Sequence, residues 1–575
     1  MVKQTNTALS PEARQLALKV ISRPEGVDVL VIGGGVTGGG IALDAQTRGL
    51  STAIVEAQDW ASGTSSRSSK LVHGGLRYLL MMDFKLVHEA LTERDRLLST
   101  IAPHLVRPVP FLYPLSHRLW ERPYVATGIG LYDLLAHKPG TRRSLPIQKH
   151  FSASGLREVF PDFKPGAAVG AVRYFDAQVD DARLAMTLVR TAHQYGAQAV
   201  SRAEATSLTK DERGIVDGAN VLDLETGQEI PVKAKHVIAA TGVWTEQTEA
   251  LGGGSGGLKV LASKGVHLVV PRDKINGSMG IITQTEKSVL FIIPWDTHWI
   301  IGTTDTPWTE ELRHPVATSA DIDYLLDHAN RVLARPLKRQ DVIGVFAGLR
   351  PLLQPGTKEG TSSAKVSREH TVASPTPGLT VIAGGKLTTY RVMAKDAVDF
   401  ALTGQKNPAQ SVTADLPLLG AEGYQVALNH GPKLAKKYGW DKTMTRHLLA
   451  RYGSLISDIT ALIDQDQSLG EPLQGPTSYL RAEVVYAATH EGALHLEDIM
   501  VNRTRLNHES HDGGVSVAQE VAALVAPHLG WDAATTSAEV ATYTQRVLAE
   551  HNAMGKATDA EAAEVRLAAP ERVPM

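Results

Sequence analysis

Cysteine does not occur anywhere in this 575-residue chain. Its absence excludes disulfides, thiolate nucleophiles, thiolate zinc centres and iron–sulfur clusters. It also excludes a redox-active disulfide, so electrons in any redox reaction must travel through a bound cofactor. Long apolar runs are missing as well. The best candidate, Val289 to Ile301, is broken by Pro294, Asp296, Thr297 and His298, and a membrane-spanning helix needs about 18 apolar residues or more. Excess charge of one sign is also lacking. The 59 Lys and Arg against 61 Asp and Glu leave a net charge of −2, so no broad field attracts nucleic acid. Met1 to Glu25 is polar and mixed in charge, without the apolar core of a signal peptide. We therefore expect a cytoplasmic protein that can still lie on a membrane surface. No internal repeat and no metal-site pattern is visible.

An apolar fraction of 43% and a charged fraction of 21% are those of a globular protein, and the length suits about two to four domains. The most informative stretch runs from Val27 to Tyr78. An apolar run, Val27-Asp28-Val29-Leu30-Val31-Ile32, turns through Gly33-Gly34-Gly35-Val36-Thr37-Gly38 and enters a helix-like segment. A second apolar run, Ser51 to Val55, ends on Glu56. This is a dinucleotide-binding fingerprint. Gly33 permits the tight turn, Gly35 lets the backbone approach a pyrophosphate, and Gly38 lets helix and strand pack closely. The helix N-terminus presents free N–H groups to the phosphates. Glu56, placed to bind a ribose diol, disfavours a 2′-phosphate and hence NADP. A G-x-G-x-x-G alone is weak evidence among 51 glycines. The flanking strand, helix and acid make it specific.

Two further runs read as strands of the same sheet. Lys235 to Ala240 ends at Thr241-Gly242, and Leu379 to Ala383 enters Gly384-Gly385-Lys386-Leu387-Thr388 and then a helix. Ligands in doubly wound sheets sit at such carboxyl ends, so Thr241, Gly242, Gly385, Lys386, Leu387 and Thr388 join the candidate cofactor wall. Short β-rich runs between 258 and 310 lack intervening helices and predict an inserted antiparallel sheet. The expected organisation is an N-terminal extension over 1–26, a Rossmann-type α/β domain over 27–404 interleaved with a substrate domain (roughly 84–170 and 258–345), a helical domain over 405–550, and a frayed tail over 551–575. Arg503-Thr504-Arg505 reads as helix-surface charge rather than part of a site.

The remaining polar segment, Thr64-Ser65-Ser66-Arg67-Ser68-Ser69-Lys70, followed by His73-Gly74-Gly75-Leu76-Arg77-Tyr78, is by composition a polar loop. The whole string resembles the FAD-dependent glycerol-3-phosphate dehydrogenases. The resemblance extends to Lys264-Gly265-Val266-His267, Gly302-Thr303-Thr304-Asp305, Gly348-Leu349-Arg350-Pro351, Gly384 to Arg391 and Arg503-Thr504-Arg505, and so covers roughly residues 27–510. It implies non-covalent FAD and oxidation of sn-glycerol 3-phosphate to dihydroxyacetone phosphate. It also implies a quinone acceptor (menaquinone or ubiquinone), a peripheral position on the inner face of the cytoplasmic membrane, a homodimer, and a fold like that of D-amino-acid oxidase. By the same resemblance Thr64, Ser65, Ser68, Ser69, His73, Gly74 and Gly75 fall to the cofactor, and Arg77, Tyr78, Arg350 and Arg368 to the substrate.

The chemistry demands a clamp for a phosphate dianion, a base for the C2 hydroxyl and a position for the C2 hydride. Arginine forks suit the phosphate. His267 is the first choice for the base, since an imidazole titrates near neutral pH. A lone histidine in an apolar strand is more often a satisfied core residue, and the motif reverses that weighting. Lys386 is the rival, as a base of lowered pKa or as a cation that stabilises the alkoxide. Many family members carry serine before this histidine, where this chain has Val266. The basic–aromatic stretch Arg118-Leu119-Trp120-Glu121-Arg122-Pro123-Tyr124 suits a membrane interface or an ordinary surface loop. The competing readings are an oxygen-using glycerol-3-phosphate oxidase, an amine or amino-acid oxidase, an NAD-dependent dehydrogenase and a non-catalytic flavin module.

Overall fold

Two sheets lie at the centre of the computed structural model, which describes residues 7–75, 83–117, 120–135, 145–253, 258–286, 289–354, 370–475 and 478–573. In the first sheet, strands Leu379–Gly384, Gln228–Ala239, Val27–Ile32, Thr52–Glu56 and Gln198–Ser201 run parallel in that spatial order. His370–Thr376 adds an antiparallel edge. Val29, Leu30 and Val31 are all fully enclosed, as expected where helices cover both faces of a parallel sheet. The sequence runs read as strands over 27–32, 51–55, 235–240 and 379–383 thus fall on neighbouring strands of one sheet, with their carboxyl ends on one side.

Helix Val36–Thr47 follows the first strand and is packed between helices Asp181–Gln194 and Tyr390–Ala401. Small residues make this possible. A Cβ on Gly39 would stand 3.1 Å from Leu188 Cβ, and one on Gly40 would stand 3.0 Å from the Tyr390 ring.

The second sheet has the order Thr306–Pro307, Val260–Pro271, His298–Gly302, Val289–Trp295, Gly280–Gln284, Arg107–Leu115, Gly170–Gln178 and Leu71–Val72. Gly344–Leu353 pairs with the long Val260–Pro271 strand along its other edge. The sheet is antiparallel apart from one parallel pairing, Gly280–Gln284 with Arg107–Leu115, so it is mixed rather than purely antiparallel. It also reaches beyond the expected ranges, to Leu71–Val72, Gly170–Gln178 and Leu353.

Both the N-terminal extension and the last segment carry a helix docked on the body of the protein. Helix Pro11–Ile21 buries Ala17, Leu18 and Ile21, and Arg14 bonds Asp223 at 2.5 Å. The last segment is not a frayed tail: helix Asp559–Leu567 buries Ala562, Ala563 and Arg566, and Asp559 pairs with the buried Lys264. An alanine-rich composition hid this docking, because alanine packs closely without advertising a hydrophobic face. Residues 424–553 are helical, including Tyr424–Tyr438, Lys442–Tyr452, Arg481–His490, Val515–Leu529 and Ala533–Ala553. No described helix is long and apolar enough to cross a membrane.

A nucleotide cavity joined to a reaction chamber

The carboxyl ends of the parallel strands open into a cavity of about 480 Å³. Gly33 adopts φ +112° here, and a Cβ at this position would lie 2.6 Å from Ala240 O. Gly38 faces backwards: its Cβ would stand 1.8 Å from Gly33 O, so its contribution is close packing, as the fingerprint requires. Gly35 is the N-cap of helix Val36–Thr47 without a side-chain cap. Gly33, Gly35, Val36, Glu56, Thr64, Ser65, Thr241, Gly242, Gly385, Lys386 and Leu387 all line this space.

Glu56 accepts from Gly34 N at 2.5 Å and from Gln58 N at 2.8 Å. Burial lifts its carboxyl above the usual range, against the pull of these two N–H groups. Ser65 Oγ accepts from Val36 N at 3.0 Å, which ties the hydroxyl loop to the helix N-terminus. An uncapped helix end, a glycine turn with no room for side chains and an acid across the cavity together fit an adenine dinucleotide.

A second cavity of about 200 Å³ shares Val36, Thr64, Ser65, Pro351, Gly385, Lys386 and Leu387 with the first. Its far wall is the second sheet. Pairing register sets Ser263 opposite Arg350, Gly265 opposite Gly348 and His267 opposite Phe346. The period of two then brings all six to one face. The glycines clear the space: a Cβ on Gly265 would stand 2.6 Å from Arg350 Nη2, and one on Gly302 would stand 2.2 Å from His267 Cδ2.

His267 is buried and lies parallel to Phe346, with ring centroids 4.8 Å apart. Its Nε2 is 2.8 Å from Ser69 Oγ, and its Nδ1 has no hydrogen-bond partner among the described residues. Burial, with Arg350 and Lys70 nearby, holds the imidazole well below the usual histidine range, so the ring is neutral at physiological pH. Arg350 is held through Nη2 by Thr303 Oγ1 at 3.0 Å and Thr304 O at 3.1 Å, and through Nη1 by Asp305 Oδ1 at 3.4 Å. Lys386 lies on the shared wall of both cavities.

The hydroxyl loop is not uniformly aimed at a ligand. Thr64 Oγ1 donates to Leu349 O at 2.6 Å. Ser68 is held by Asp181 through both its N–H and its hydroxyl, at 2.8 and 2.7 Å. Ser69 serves His267. Thr388 Oγ1 is buried against the His73 backbone, at 3.0 Å from its N and 3.1 Å from its O. Gly74 lines neither cavity. Its N–H bonds Tyr132 Oη at 2.8 Å, and Tyr132 in turn bonds Asp176. Gly75, in the left-handed region at φ +78°, also lines neither. Arg77, Tyr78 and Arg368 lie outside the described residues, as do Arg118 and Leu119.

Arg503 and Arg505 overturn the surface-charge reading. Both are fully buried. Arg503 grips Asp59 with two bonds of 2.6 Å. Arg505 bonds Asp180 at 2.5 Å and Asp181 at 2.8 Å. Asp181 also accepts from Lys70 Nζ at 2.6 Å, so it joins the helical region to the loop that carries Ser68 and Ser69. Sequence reading missed Asp181. The only available signal was its place directly after Asp180, a helix N-cap.

Parallel-strand turn, uncapped helix and adjoining polar chamber define a flavin-type oxidoreductase. Residues 28–391 match the family model described as FAD dependent oxidoreductase, and residues 411–536 match the C-terminal domain of alpha-glycerophosphate oxidase. The chain is 51% identical over 567 residues to glycerol-3-phosphate dehydrogenase 2 of Mycobacterium tuberculosis, covering 98% of this chain and 95% of that protein. It is 36% identical to the mitochondrial glycerol-3-phosphate dehydrogenase of Homo sapiens, covering 91% of this chain and 73% of that one. The solved glycerol-3-phosphate dehydrogenase of Bacillus halodurans complexed with FAD superposes with a TM-score of 0.75 at 28% identity, covering 94% and 98% of the two chains. The chain belongs to the FAD-dependent glycerol-3-phosphate dehydrogenase family. Its cofactor is FAD.

Proposed function

We propose that this enzyme oxidises sn-glycerol 3-phosphate to dihydroxyacetone phosphate. The observation that carries this reading is the convergence of His267, Arg350 and Lys386 in a chamber continuous with the FAD cavity. Oxidation of the C2 alcohol removes a hydride from C2 and a proton from its hydroxyl. FAD, when bound, supplies N5 as the hydride acceptor. The protein's share is to bind, orient and take the proton. Arg350, with its plane preset by Thr303 and Thr304, offers its fork to phosphate oxygens. The neutral His267 ring accepts the hydroxyl proton, and Lys386 stabilises negative charge that develops on the C2 oxygen. Arg77, Tyr78 and Arg368 complete the phosphate grip by resemblance.

For the electron acceptor we propose a membrane quinone, menaquinone or ubiquinone, reached from a peripheral position on the inner face of the cytoplasmic membrane by a homodimer. Trp120 and Tyr124 support a membrane-facing surface at the start of helix Glu121–Leu135. They are 61% and 57% exposed, and aromatic side chains of this kind suit the interface.

Anaerobic addition of glycerol 3-phosphate to the purified yellow protein tests the reaction. Bleaching of the visible flavin band supports it. A protein bleached by amino acids but not by this substrate would sink it. Reoxidation of the bleached enzyme by a quinone analogue much faster than by dissolved oxygen supports the acceptor, and the reverse order makes the protein an oxidase.

A further inference from the structure

A third cavity, of about 60 Å³, lies behind the reaction chamber. Its walls come from the hydroxyl loop, the Gly344–Leu353 strand and the two C-terminal helices. Three guanidinium groups converge on it: Arg67 from the loop, Arg546 from helix Ala533–Ala553 and Arg566 from helix Asp559–Leu567. Glu550 is the one carboxylate among the described lining residues. It bonds Arg546 Nε at 3.0 Å and Arg566 Nε at 3.3 Å. Arg546 also meets Glu497 outside the cavity. Arg67, half-buried, feels Glu550 only at a distance. Its backbone N–H bonds Thr64 O, but its guanidinium makes no hydrogen bond or ion pair among the described residues.

Arg546 and Arg566 are 4% and 2% exposed. Buried charges are normally paired, because an unpaired one loses its hydration without compensation. Glu550 is shared by Arg546 and Arg566, with Glu497 on Arg546 and Glu571 near Arg566 outside the cavity, so Arg67 is left as the guanidinium with no carboxylate bonded to it among the described residues. His508 adds a second signal: its Nδ1 is buried without a partner among the described residues, so the wall also presents an unanswered polar atom. Burial pushes the Arg67 and Arg546 guanidiniums down to about 10, in keeping with missing counter-charge.

We propose that this cavity is a binding site for a small inorganic oxyanion of the phosphate or sulfate class. Size and chemistry agree. The space exceeds the roughly 10–15 Å³ that a single water needs, which leaves room for a small tetrahedral oxyanion. Arginine forks match its oxygens. The site also touches the reaction chamber at two places. Phe346 stacks on His267 with centroids 4.8 Å apart, and also meets the His508 ring in a tilted contact at 5.2 Å. Arg67 lines both cavities. An anion drawn to Arg67 therefore fixes a residue of the chamber wall. This inference stands apart from the substrate proposed above.

The test titrates FAD-loaded enzyme with inorganic phosphate and with sulfate at constant ionic strength, reading binding by calorimetry and the unfolding temperature. Saturable binding is expected in Arg350→Ala, where the chamber's own anion site is crippled. Arg566→Gln should weaken this binding at least tenfold. Glu550→Gln should tighten it at least threefold and make the unfolding temperature more phosphate-dependent than in the unmodified protein. Absence of saturable binding in Arg350→Ala overturns the proposal, as does unchanged affinity in Arg566→Gln. Where Arg566→Gln does not fold, Glu550→Gln decides, and unchanged or weaker affinity there overturns it.

Discussion

Ser69 Oγ, 2.8 Å from Nε2, is the only hydrogen-bond partner of the His267 imidazole among the described residues. One serine therefore fixes the orientation of the ring proposed as the base. His267→Asn should slow flavin reduction by about 10²–10⁴-fold, the usual range for a lost general base, while FAD stays bound. Ser69→Ala should cost about tenfold, the equivalent of one buried hydrogen bond near 1.4 kcal/mol. Stopped-flow reduction checks both. A normal rate in His267→Asn moves the base to Lys386. Because burial, Arg350 and Lys70 depress the imidazole pKa, the reduction rate should stay level above pH 6.5 and fall only on the acid side.

Arg350 is held at Nη2 by Thr303 and Thr304 and at Nη1 by Asp305, so its orientation is set before substrate arrives. A lysine at that position keeps the charge but loses the plane. Arg350→Ala should raise the substrate KM by about a hundredfold, in line with ~2–3 kcal/mol for charged hydrogen bonds. Arg350→Lys should recover less than a tenth of that loss. Steady-state kinetics with glycerol 3-phosphate decide, and full rescue by lysine would mean that only charge matters there.

Asp181 gathers Ser68, Lys70 and Arg505 at 2.6–2.8 Å. Removing one member of such a buried charge set leaves the others unpaired, typically at a cost of about 3–5 kcal/mol. Arg505→Gln should lower the unfolding temperature and displace the loop that carries Ser69. Because the displaced serine orients His267, flavin reduction should slow more than tenfold while KM changes less than threefold. An unchanged reduction rate in folded Arg505→Gln would make the network purely structural.

Much of the nucleotide half of the site was legible because its chemistry is local. Gly33, Gly35, Gly38 and Glu56 belong to one strand–turn–helix–strand unit, and spacing alone positions them. The reaction chamber was legible only through resemblance. His267 and Arg350 lie more than 80 residues apart in the chain, and cross-strand pairing of Val260–Pro271 with Gly344–Leu353 brings them together. No local pattern encodes that register. Arg503 and Arg505 were misread for a related reason. A charged residue's burial depends on the partner that meets it, and Asp59 and Asp180 are separated from them by more than 320 positions.

Stability should respond to pH through two opposed sets of histidines. Burial works against charge on His495, but hydrogen bonds from its ring to Glu225 and Glu539, each 2.9 Å, prevail and lift its pKa to about 9. That raised value contributes stability fully present below the unfolded value near 6.5 and lost as pH rises through 9. His104 and His508 are pushed down to about 3 by burial, with Arg183 and Arg505 respectively nearby. Their contribution is present above 6.5 and lost as pH falls towards 3. The unfolding temperature should therefore peak near pH 6.5. His495→Gln should flatten the alkaline limb and leave the acid limb steep. An alkaline limb as steep as before would place its cause outside the Glu225–His495–Glu539 cluster.

Gly38→Ala tests the nucleotide turn most directly. The added Cβ would stand 1.8 Å from Gly33 O and 3.0 Å from its carbonyl carbon, distances that no rotamer can relieve because both partners are backbone. The helix must retreat from the strand, and its N-terminus retreats with it. Gly33, held at φ +112° with Ala240 O directly behind it, cannot absorb the shift by moving the other way. The expected product is a folded but colourless protein, or one whose FAD dissociates at least a hundredfold more readily, since the pyrophosphate depends on those helix N–H groups. Gly49→Ala supplies the contrast. Gly49 also has positive φ, at +88°, but nothing lies within 4 Å of an added Cβ, so the strain is local and FAD should stay bound. Flavin content per chain, read from the visible spectrum, distinguishes the two, and equal content in both variants would remove close helix–strand packing from the account of FAD binding.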